Sequence, residues 1–307
     1  MEYVINDSSQ GGLPAVAGRV CRVPEPGAVE AEFAGPDGTL VQRRWVEAAV
    51  AVRFEQLQPV AAFPVVPGRR WGPGWWWSAT TGGHVPHGSQ AMCMQLMLLD
   101  RDPQVVGLSA RPVRLIWRDP DSRRTLTWVP QMFARYADGR ALLADCPALA
   151  EPAAGRAARA AAMLGAACAA AGFTYQRLVP PDAVVAANVR WLAGYRHPRY
   201  RDAGGLEQAV LEAFAAPRAL MTGAEAAGEV LSALPVLYHA LWSGRLAADL
   251  ARPLGGHTLV CPGPSDPAAD GSEREQQARR AGTDQPPLVG GVLGWVRGSS
   301  SRAASGR

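Results

Sequence analysis

The chain of 307 residues contains no lysine, so arginine supplies all 31 of its basic residues, against 27 acidic ones. Four classes of chemistry need a lysine side chain: the phosphate-binding loop of the G-x-x-x-x-G-K-[ST] type, the lysine Schiff base, the Ser-x-x-Lys hydrolase and the protein kinase. The sequence therefore excludes all four. Alanine, arginine, glycine and proline are abundant, which is typical of GC-rich coding and accounts for the preference for arginine.

Other patterns are missing as well. No apolar run reaches the ~20 residues that span a bilayer, and residues 1–10 lack the basic and apolar regions of a secretory signal. The motifs G-x-S-x-G and H-E-x-x-H are absent. The cysteines form no C-x-x-C pair, which is typical of reduced thiols, so we expect a cytoplasmic protein with no membrane partner. The cysteines are Cys21, Cys93, Cys146, Cys168 and Cys261.

Composition and hydrophobic periodicity divide the chain into four segments. Residues 1–62 include alternating apolar and acidic side chains and predict a β-rich N-terminal extension, which stays extended through 46–60. Residues 261–307 are rich in Pro, Gly, Ser and charge and predict a disordered tail. The two segments between them, 63–181 and 182–260, have patterns of their own.

Residues 63–181 predict a small α/β core. A helix capped by Ser89 runs to about residue 100, and an Ala-rich helix over 153–171 ends at Gly172. With one additional strand between the helices, this order is of the α-β-β-β-α-β type and predicts a mixed sheet. The strands are expected near 104–109, 112–118, 125–136, 141–146 and 173–178.

Residues 182–260 predict a mostly helical unit. Helices are expected over about 182–195 and 205–216. Thr222, with Glu225 three positions later, has the pattern of a capping box before a further helix. Two short strands would follow, so the segment predicts a winged-helix-like domain.

The hairpin expected around residues 125–147 carries the candidate chemistry. Many metal-dependent nucleases hold Mg²⁺ on such a hairpin, with Pro-Asp on the first strand and (Asp/Glu)-x-Lys on the second. Pro130 and Asp145 fit this pattern. Gln131 stands where the first acid belongs, and Pro147 stands where the lysine belongs. Asp145 and Gln131 are therefore the candidate catalytic residues, and Asp145 is the candidate Mg²⁺ ligand.

Two further groups have more than one interpretation. His84, His87 and Cys93 lie within ten residues and are zinc-ligand types, although a fourth ligand has no obvious source. They are equally typical of polar residues in a loop before a helix. The run Trp75–Trp77 suits either stacking on nucleic-acid bases or packing at the mouth of a core.

Four blocks of the sequence resemble the TnsA-like proteins, the endonuclease subunits of heteromeric transposases. The resemblance extends over roughly residues 45–260 and implies a restriction-endonuclease-like domain followed by a winged-helix-like domain. It also implies Mg²⁺-dependent work on transposon ends, beside a partner transposase subunit and an ATP-dependent transposition regulator. The blocks are WWSATTGGHV at 76–85, LMLLDRDPQVVG at 96–107, VPQMFAR at 129–135 and ANVRWLAGYRHPR at 187–199.

The chain departs from this family where the nuclease chemistry lies. Relatives have acids at the start of the first helix, where this chain has Gly88 and Met92, and an Asp where it has Gln131. Residues 56–99 contain no Asp or Glu at all. Asp145 alone is a poor site for a hard cation that prefers several anionic oxygen ligands.

We therefore expect a TnsA-like subunit with a degraded nuclease site, which binds DNA and partner subunits. One alternative is an enzyme that is active when a partner supplies the missing group. Another is a non-catalytic DNA-binding or scaffold protein that uses the winged helix alone. Arginine suits phosphate because its planar fork donates two parallel hydrogen bonds. The expected DNA contacts are Arg190, Arg196, His197, Arg199, Arg201 and Arg245.

Overall fold

Helices and strands alternate in a mixed α/β fold with several sheets. The computed structural model describes residues 28–35, 37–65, 72–119, 123–149 and 155–264, so the tail expected beyond them lies outside the described residues. The first elements are β1 (Glu30–Ala34), β2 (Leu40–Arg44), α1 (Trp45–Ala51), β3 (Gly74–Trp77), β4 (His84–His87), α2 (Gln90–Asp100), β5 (Val105–Ala110), β6 (Arg114–Arg118), β7 (Thr125–Trp128), β8 (Met132–Tyr136) and β9 (Ala141–Asp145). The later ones are α3 (Gly155–Ala170), β10 (Thr174–Arg177), α4 (Ala183–Ala193), α5 (Glu207–Ala213), β11 (Arg218–Ala219), α6 (Leu220–Ala227), α7 (Val230–Trp242), β12 (Leu246–Ala248) and β13 (Leu259–Pro262).

A four-stranded mixed sheet is buried on both faces. Its order is β10-β9-β8-β5, with β9 and β10 parallel and the other neighbours antiparallel. Side chains alternate between the faces, so Met132 and Leu142 pack with α2, whereas Phe133 and Leu143 pack with α3. Burial on both faces explains why the β9 sequence is nearly all apolar.

The single strand expected over 125–136 is two strands in different sheets. β7 ends at Trp128 and β8 begins at Met132. Between them Pro130 has no N–H to donate to a ladder. β7 pairs with β6, whereas β8 pairs with β5 and β9. The chain therefore crosses from one sheet to the other directly before the candidate site.

A second four-stranded sheet joins the N-terminal residues to the middle of the chain. Its order is β2-β1-β6-β7, and all neighbours are antiparallel. The extended backbone expected from residue 46 is wrong at its start, because these residues form α1. The fully buried Trp45 indole donates a hydrogen bond to the Ala167 carbonyl at 2.8 Å and packs edge-on against the Phe173 ring. This contact holds α1 against α3.

The C-terminal part combines helices with a small antiparallel sheet. Its order along the chain is α5-β11-α6-α7-β12-β13, and the strands lie in the order β11-β13-β12. The capping box expected at Thr222 is wrong, because α6 already begins at Leu220. The side-chain cap is instead at α7, where the Glu229 carboxylate accepts hydrogen bonds from the N–H groups of Leu231 (3.0 Å) and Ser232 (2.8 Å).

One hydrophobic core extends from the central sheet to the C-terminal helices. It includes Met92 and Leu96 of α2, Met132 of β8, and Leu237 and Trp242 of α7. The C-terminal helices therefore complete a core that the central sheet begins. Within the described ranges, no single helix is both long and apolar enough to cross a membrane; α6 and α7 meet the criterion only together, with a bend of 119° between them.

The carboxylate of Asp100 joins the end of α2 to the loop after β3. Asp100 is only 5% exposed, and its oxygens accept four hydrogen bonds. The donors are the Trp76 indole (3.0 Å), the Ser78 hydroxyl (2.6 Å), and the N–H groups of Ala79 (3.1 Å) and Thr80 (2.9 Å). These donors take the place of water around the buried charge, so the carboxylate specifies the path of the loop.

We expect Asp100→Asn to lower the free energy of unfolding by about 3 kcal/mol, because an amide turns its own N–H groups toward donors that then lose an acceptor. The measurement is urea denaturation. Asp102→Asn is the matched control, because Asp102 accepts one exposed backbone hydrogen bond from Gln104, which an amide oxygen preserves. Equal stability of the two variants would contradict the structural role of Asp100.

A second stability test uses a glycine in α6. A Cβ built on Gly223 would overlap the ring of Phe214, which is fully buried. We expect Gly223→Ala to destabilise the fold by about 2 kcal/mol through overpacking. In α3 a Cβ on Gly165 meets nothing within 4 Å. Gly165→Ala should therefore stabilise by about 0.5–1 kcal/mol. Thermal or urea unfolding compares the two, and shifts of the same sign would contradict the packing at Gly223.

Candidate functional site

The two candidate catalytic residues meet at one edge of the central sheet. β8 and β9 pair with Met132 opposite Ala144, which brings Gln131 beside Asp145. The Gln131 N–H donates to Asp145 Oδ1 at 3.2 Å, and the Gln131 side-chain oxygen accepts a hydrogen bond from the Cys146 N–H at 2.7 Å. The Gln131 side chain thus accepts a hydrogen bond of the kind that a backbone carbonyl would accept if the β8–β9 ladder continued.

Two aromatic side chains complete the surroundings of Asp145. The Trp128 indole donates to Asp145 Oδ2 at 2.8 Å, and the Tyr175 hydroxyl donates to the same oxygen at 2.7 Å. With the Gln131 N–H, three donors of the protein satisfy this carboxylate. Asp145 therefore acts as a hydrogen-bond acceptor that connects β7, β9 and β10.

Burial dominates the electrostatics of this cluster. It raises the pKa of Asp145 above its usual range, although the bonds from Tyr175 and Trp128 and the charge of Arg177 oppose the change. The pKa of Tyr175 is also raised, first by burial and then by the Asp145 charge. The Tyr175 hydroxyl therefore keeps its proton and remains a donor to Asp145.

The start of α2, where the resemblance implies acids, lies away from Asp145. Met92 packs with Ala144 in the core on the α2 face of the sheet. Asp145 follows Ala144 and so turns to the other face, where Tyr175 packs. A Cβ on Gly88 would overlap the Phe63 ring, so a longer side chain does not fit there without a shift of that ring.

The residues present do not fit a Mg²⁺ ion. Mg²⁺ takes oxygen ligands, carboxylates foremost among them. Both oxygens of Asp145, and the amide oxygen of Gln131, already accept hydrogen bonds from the protein. Over the described ranges between residues 28 and 264, no group of three or more His, Cys, Asp or Glu side chains is placed to hold a metal. The expected nuclease site is a hydrogen-bonded cluster.

The three side chains near α2 that are of zinc-binding types lie in different surroundings. His84 is exposed on β4, whereas His87 is buried, and burial lowers the pKa of its imidazole. Cys93 is buried in the core, where burial raises the pKa of its thiol. Among the residues that the structure describes, these three side chains form no group that could hold a metal ion.

Arg196, one of the expected DNA contacts, is turned into the protein. Its guanidinium lies 3.9 Å from the centre of the Trp76 ring, and it donates to the carbonyls of Trp77 and Ala193, both at 2.7 Å. Burial lowers its pKa, and the charge of Asp100 opposes that change. Arg196 therefore joins β3 to the end of α4.

The other five expected DNA contacts divide into two groups. Arg201 and Arg245 both pair with the Glu207 carboxylate, the former at 3.0 Å. The remaining three are exposed: Arg190 lies on α4, and His197 and Arg199 lie in the turn after it. The His197 ring stacks on Trp77 with ring centres 4.7 Å apart. A basic surface thus follows the end of α4.

Sequence reasoning missed Trp128 and Tyr175. Tyr175 had a usable signal: in the parallel pair β9–β10, Arg177 lies opposite Asp145 and Tyr175 opposite Leu143, so Tyr175 shares the face of Asp145. Trp128 had no such signal in the sequence, because its strand, β7, belongs to the other sheet.

Comparison with known proteins adds no relative of this chain. No protein-family model matches it, and no curated protein matches it. Function is therefore inferred from the fold, from the cluster around Asp145, and from the surface near Arg190.

The raised pKa of Asp145 predicts how stability depends on pH. The folded state holds this proton more tightly than the unfolded chain, so the stabilisation is complete below the unfolded pKa of about 3.9 and is lost as the pH rises through the folded pKa. Asp145→Asn does not titrate. We therefore expect the free energy of unfolding of the wild type, minus that of the variant, to fall over this window.

Urea denaturation of both proteins at a series of pH values measures this difference. Asp138→Asn is the control with the opposite sign, because hydrogen bonds from Arg140 lower the pKa of the exposed Asp138. The contribution of Asp138 to the free energy of unfolding should grow as the pH rises from the lowered pKa of the folded state to the pKa of the unfolded chain. A difference for Asp145 that does not change with pH would contradict the expected behaviour.

Proposed function

We propose that this chain is a TnsA-like subunit of a DNA transposition complex, which binds DNA and partner subunits without cutting DNA itself. The observation that carries the proposal is that both oxygens of Asp145 accept hydrogen bonds from the protein. A nuclease carboxylate needs oxygen lone pairs for a cation, whereas both Asp145 oxygens accept hydrogen bonds within the protein. The carboxylate at the nuclease position has a structural role.

The order of elements around Asp145 supports the fold assigned by this proposal. With the β6–β7 hairpin set aside, the chain runs α2-β5-β8-β9-α3-β10, which is the α-β-β-β-α-β order of a restriction-endonuclease-like core. β9 and β10 are parallel, and α2 and α3 pack on opposite faces of the sheet. Gln131 directly precedes β8 and Asp145 ends β9, which are the places of the two acids in the nuclease pattern.

The C-terminal part supports a winged-helix-like domain in its order of elements. In the helix-turn-helix mode the second helix lies in the major groove of DNA. α7 would be that helix, but it contains no arginine, and Leu237 and Trp242 are buried in the core shared with α2. This burial argues against DNA binding through the winged helix alone. We assign the phosphate contacts to Arg190 and Arg199 instead.

The proposal gives the chain three kinds of partner. DNA follows from the exposed arginines after α4, because phosphate contacts of this kind position a protein without reading sequence. The partner transposase subunit and the ATP-dependent regulator follow from the four resembling blocks. DNA cleavage falls to the partner subunit, because the cluster around Asp145 does not fit Mg²⁺.

A nicking assay on transposon-end DNA tests the proposal. Purified wild type, with Mg²⁺ or Mn²⁺, should bind the DNA but should not nick it above the level of a Gln131→Ala, Asp145→Ala double variant. Its affinity should fall with salt, with a slope of log K on log salt of about −0.9 for each phosphate contacted. Arg190→Ala should make that slope less steep.

Metal-dependent nicking that the double variant abolishes would overturn the proposal. Nicking by the wild type only after the partner transposase subunit is added, and again lost in the double variant, would also overturn it, in favour of a site that the partner completes. Circular dichroism of the double variant checks that lost activity is not lost folding.

A further inference from the structure

Four aromatic side chains form a cluster at the surface where α4, the turn after it and α7 meet. The Tyr195 ring is central, with its centre 4.9 Å from that of Tyr238, 5.4 Å from Tyr200 and 6.1 Å from Trp191. Trp191 meets Tyr238 edge to face, with centres 5.8 Å apart. We refer to Trp191, Tyr195, Tyr200 and Tyr238 as the aromatic cluster.

Trp191 is the exposed member of the aromatic cluster. It is 55% exposed, whereas the three tyrosines are half-buried. One edge of the ring packs against Tyr238, and Tyr195 packs beside it. The ring is therefore held in place by its edge, while a large apolar area stays in water. A fixed ring of this kind needs little ordering when a flat ligand stacks on it.

The charge around the aromatic cluster is positive. Residues 183–201 and 230–242, the two segments that supply its four rings, contain four arginines and no Asp or Glu. The exposed Arg199 lies 4.6 Å from the centre of the Tyr200 ring and donates to the Tyr200 hydroxyl at 2.7 Å. Arg190 precedes Trp191 and is exposed. The cluster thus combines stacking rings with the exposed arginines Arg190 and Arg199.

We infer that the aromatic cluster binds an unpaired nucleotide of single-stranded DNA, with the base stacked on Trp191 and the flanking phosphates near Arg190 and Arg199. Single strands are bound by aromatic side chains in a basic surface, because every base has a π-face that a duplex keeps inside its own stack. The inference rests on the proposed function, which gives DNA as the ligand. It adds that the DNA at this cluster is single-stranded. The chain would therefore prefer unpaired DNA ends or displaced single strands to intact duplex.

The full-length chain is tested by fluorescence anisotropy with three labelled probes: an oligothymidylate, an abasic oligonucleotide of the same length, and a duplex. The wild type should bind oligothymidylate more tightly than the abasic probe, which has the same phosphates but no bases. Trp191→Ala should weaken oligothymidylate binding by about 5- to 150-fold, which is the range for the loss of one base–aromatic stack. Binding of the abasic probe and of the duplex should stay unchanged.

Two variants separate stacking from other effects. Trp191→Phe keeps a flat ring and should retain most of the oligothymidylate affinity. Val50→Ala is the control, because Val50 is also an exposed apolar side chain, at 88%, but lies on α1 outside the aromatic cluster. It should leave all three affinities unchanged. Thermal unfolding of each variant checks that the fold is intact.

The outcomes distinguish this inference from the proposed function. Equal weakening of all three probes by Trp191→Ala, or no weakening of any, would overturn the stacking role, and the latter result would favour a protein partner for the exposed ring. Duplex binding by the wild type without a preference for oligothymidylate would overturn the inference and leave the proposed function standing. Failure to bind any of the probes would overturn both.

Discussion

The buried charge of Asp100 is the constraint on which the relation between the central sheet and the C-terminal helices depends. Its hydrogen bond fixes the Trp76 indole, whose ring in turn packs against the Arg196 guanidinium and against Trp242 of α7. A buried carboxylate is expensive to desolvate unless donors surround it. Because those donors come from the loop after β3, the loop, α4 and α7 have one arrangement that satisfies them together.

Asp145 repeats this chemistry at the sheet edge, with a different outcome for function. Like Asp100, it accepts from an indole, a hydroxyl and a backbone N–H. A carboxylate in that state supports the structure, because both of its oxygens accept hydrogen bonds from the protein. The same side chain at the same end of a strand is a metal ligand in a nuclease, so fold alone does not decide the chemistry. The neighbouring donors Trp128 and Tyr175 decide it.

Much of the central core could be predicted from the sequence. The helix expected over 153–171 is α3 at Gly155–Ala170, and the strand expected over 141–146 is β9 at Ala141–Asp145. Both are long or strongly patterned segments with Gly signals at their ends, so local preferences and tertiary structure agree there.

The errors have tertiary causes. Residues 125–136 are continuously β-forming, and only their pairing with two different sheets breaks them at Pro130. Arg196 belongs to a charged run, which predicts a solvated or phosphate-binding face. In the structure its guanidinium packs on the ring of Trp76 and donates to the carbonyl of Trp77, and both residues are distant from it in sequence. Periodicity reports which face of an element is apolar, and it contains no information about which distant ring lies opposite.

The hydrogen bonds to both oxygens of Asp145 also limit what evolution can do with this sheet edge. An acid placed at position 131 would add a second negative charge beside the buried carboxylate of Asp145. A cation could use that acid only after Trp128 and Tyr175 had also given up their bonds to Asp145. A metal site at this position would therefore need changes at residues 128, 131 and 175 together.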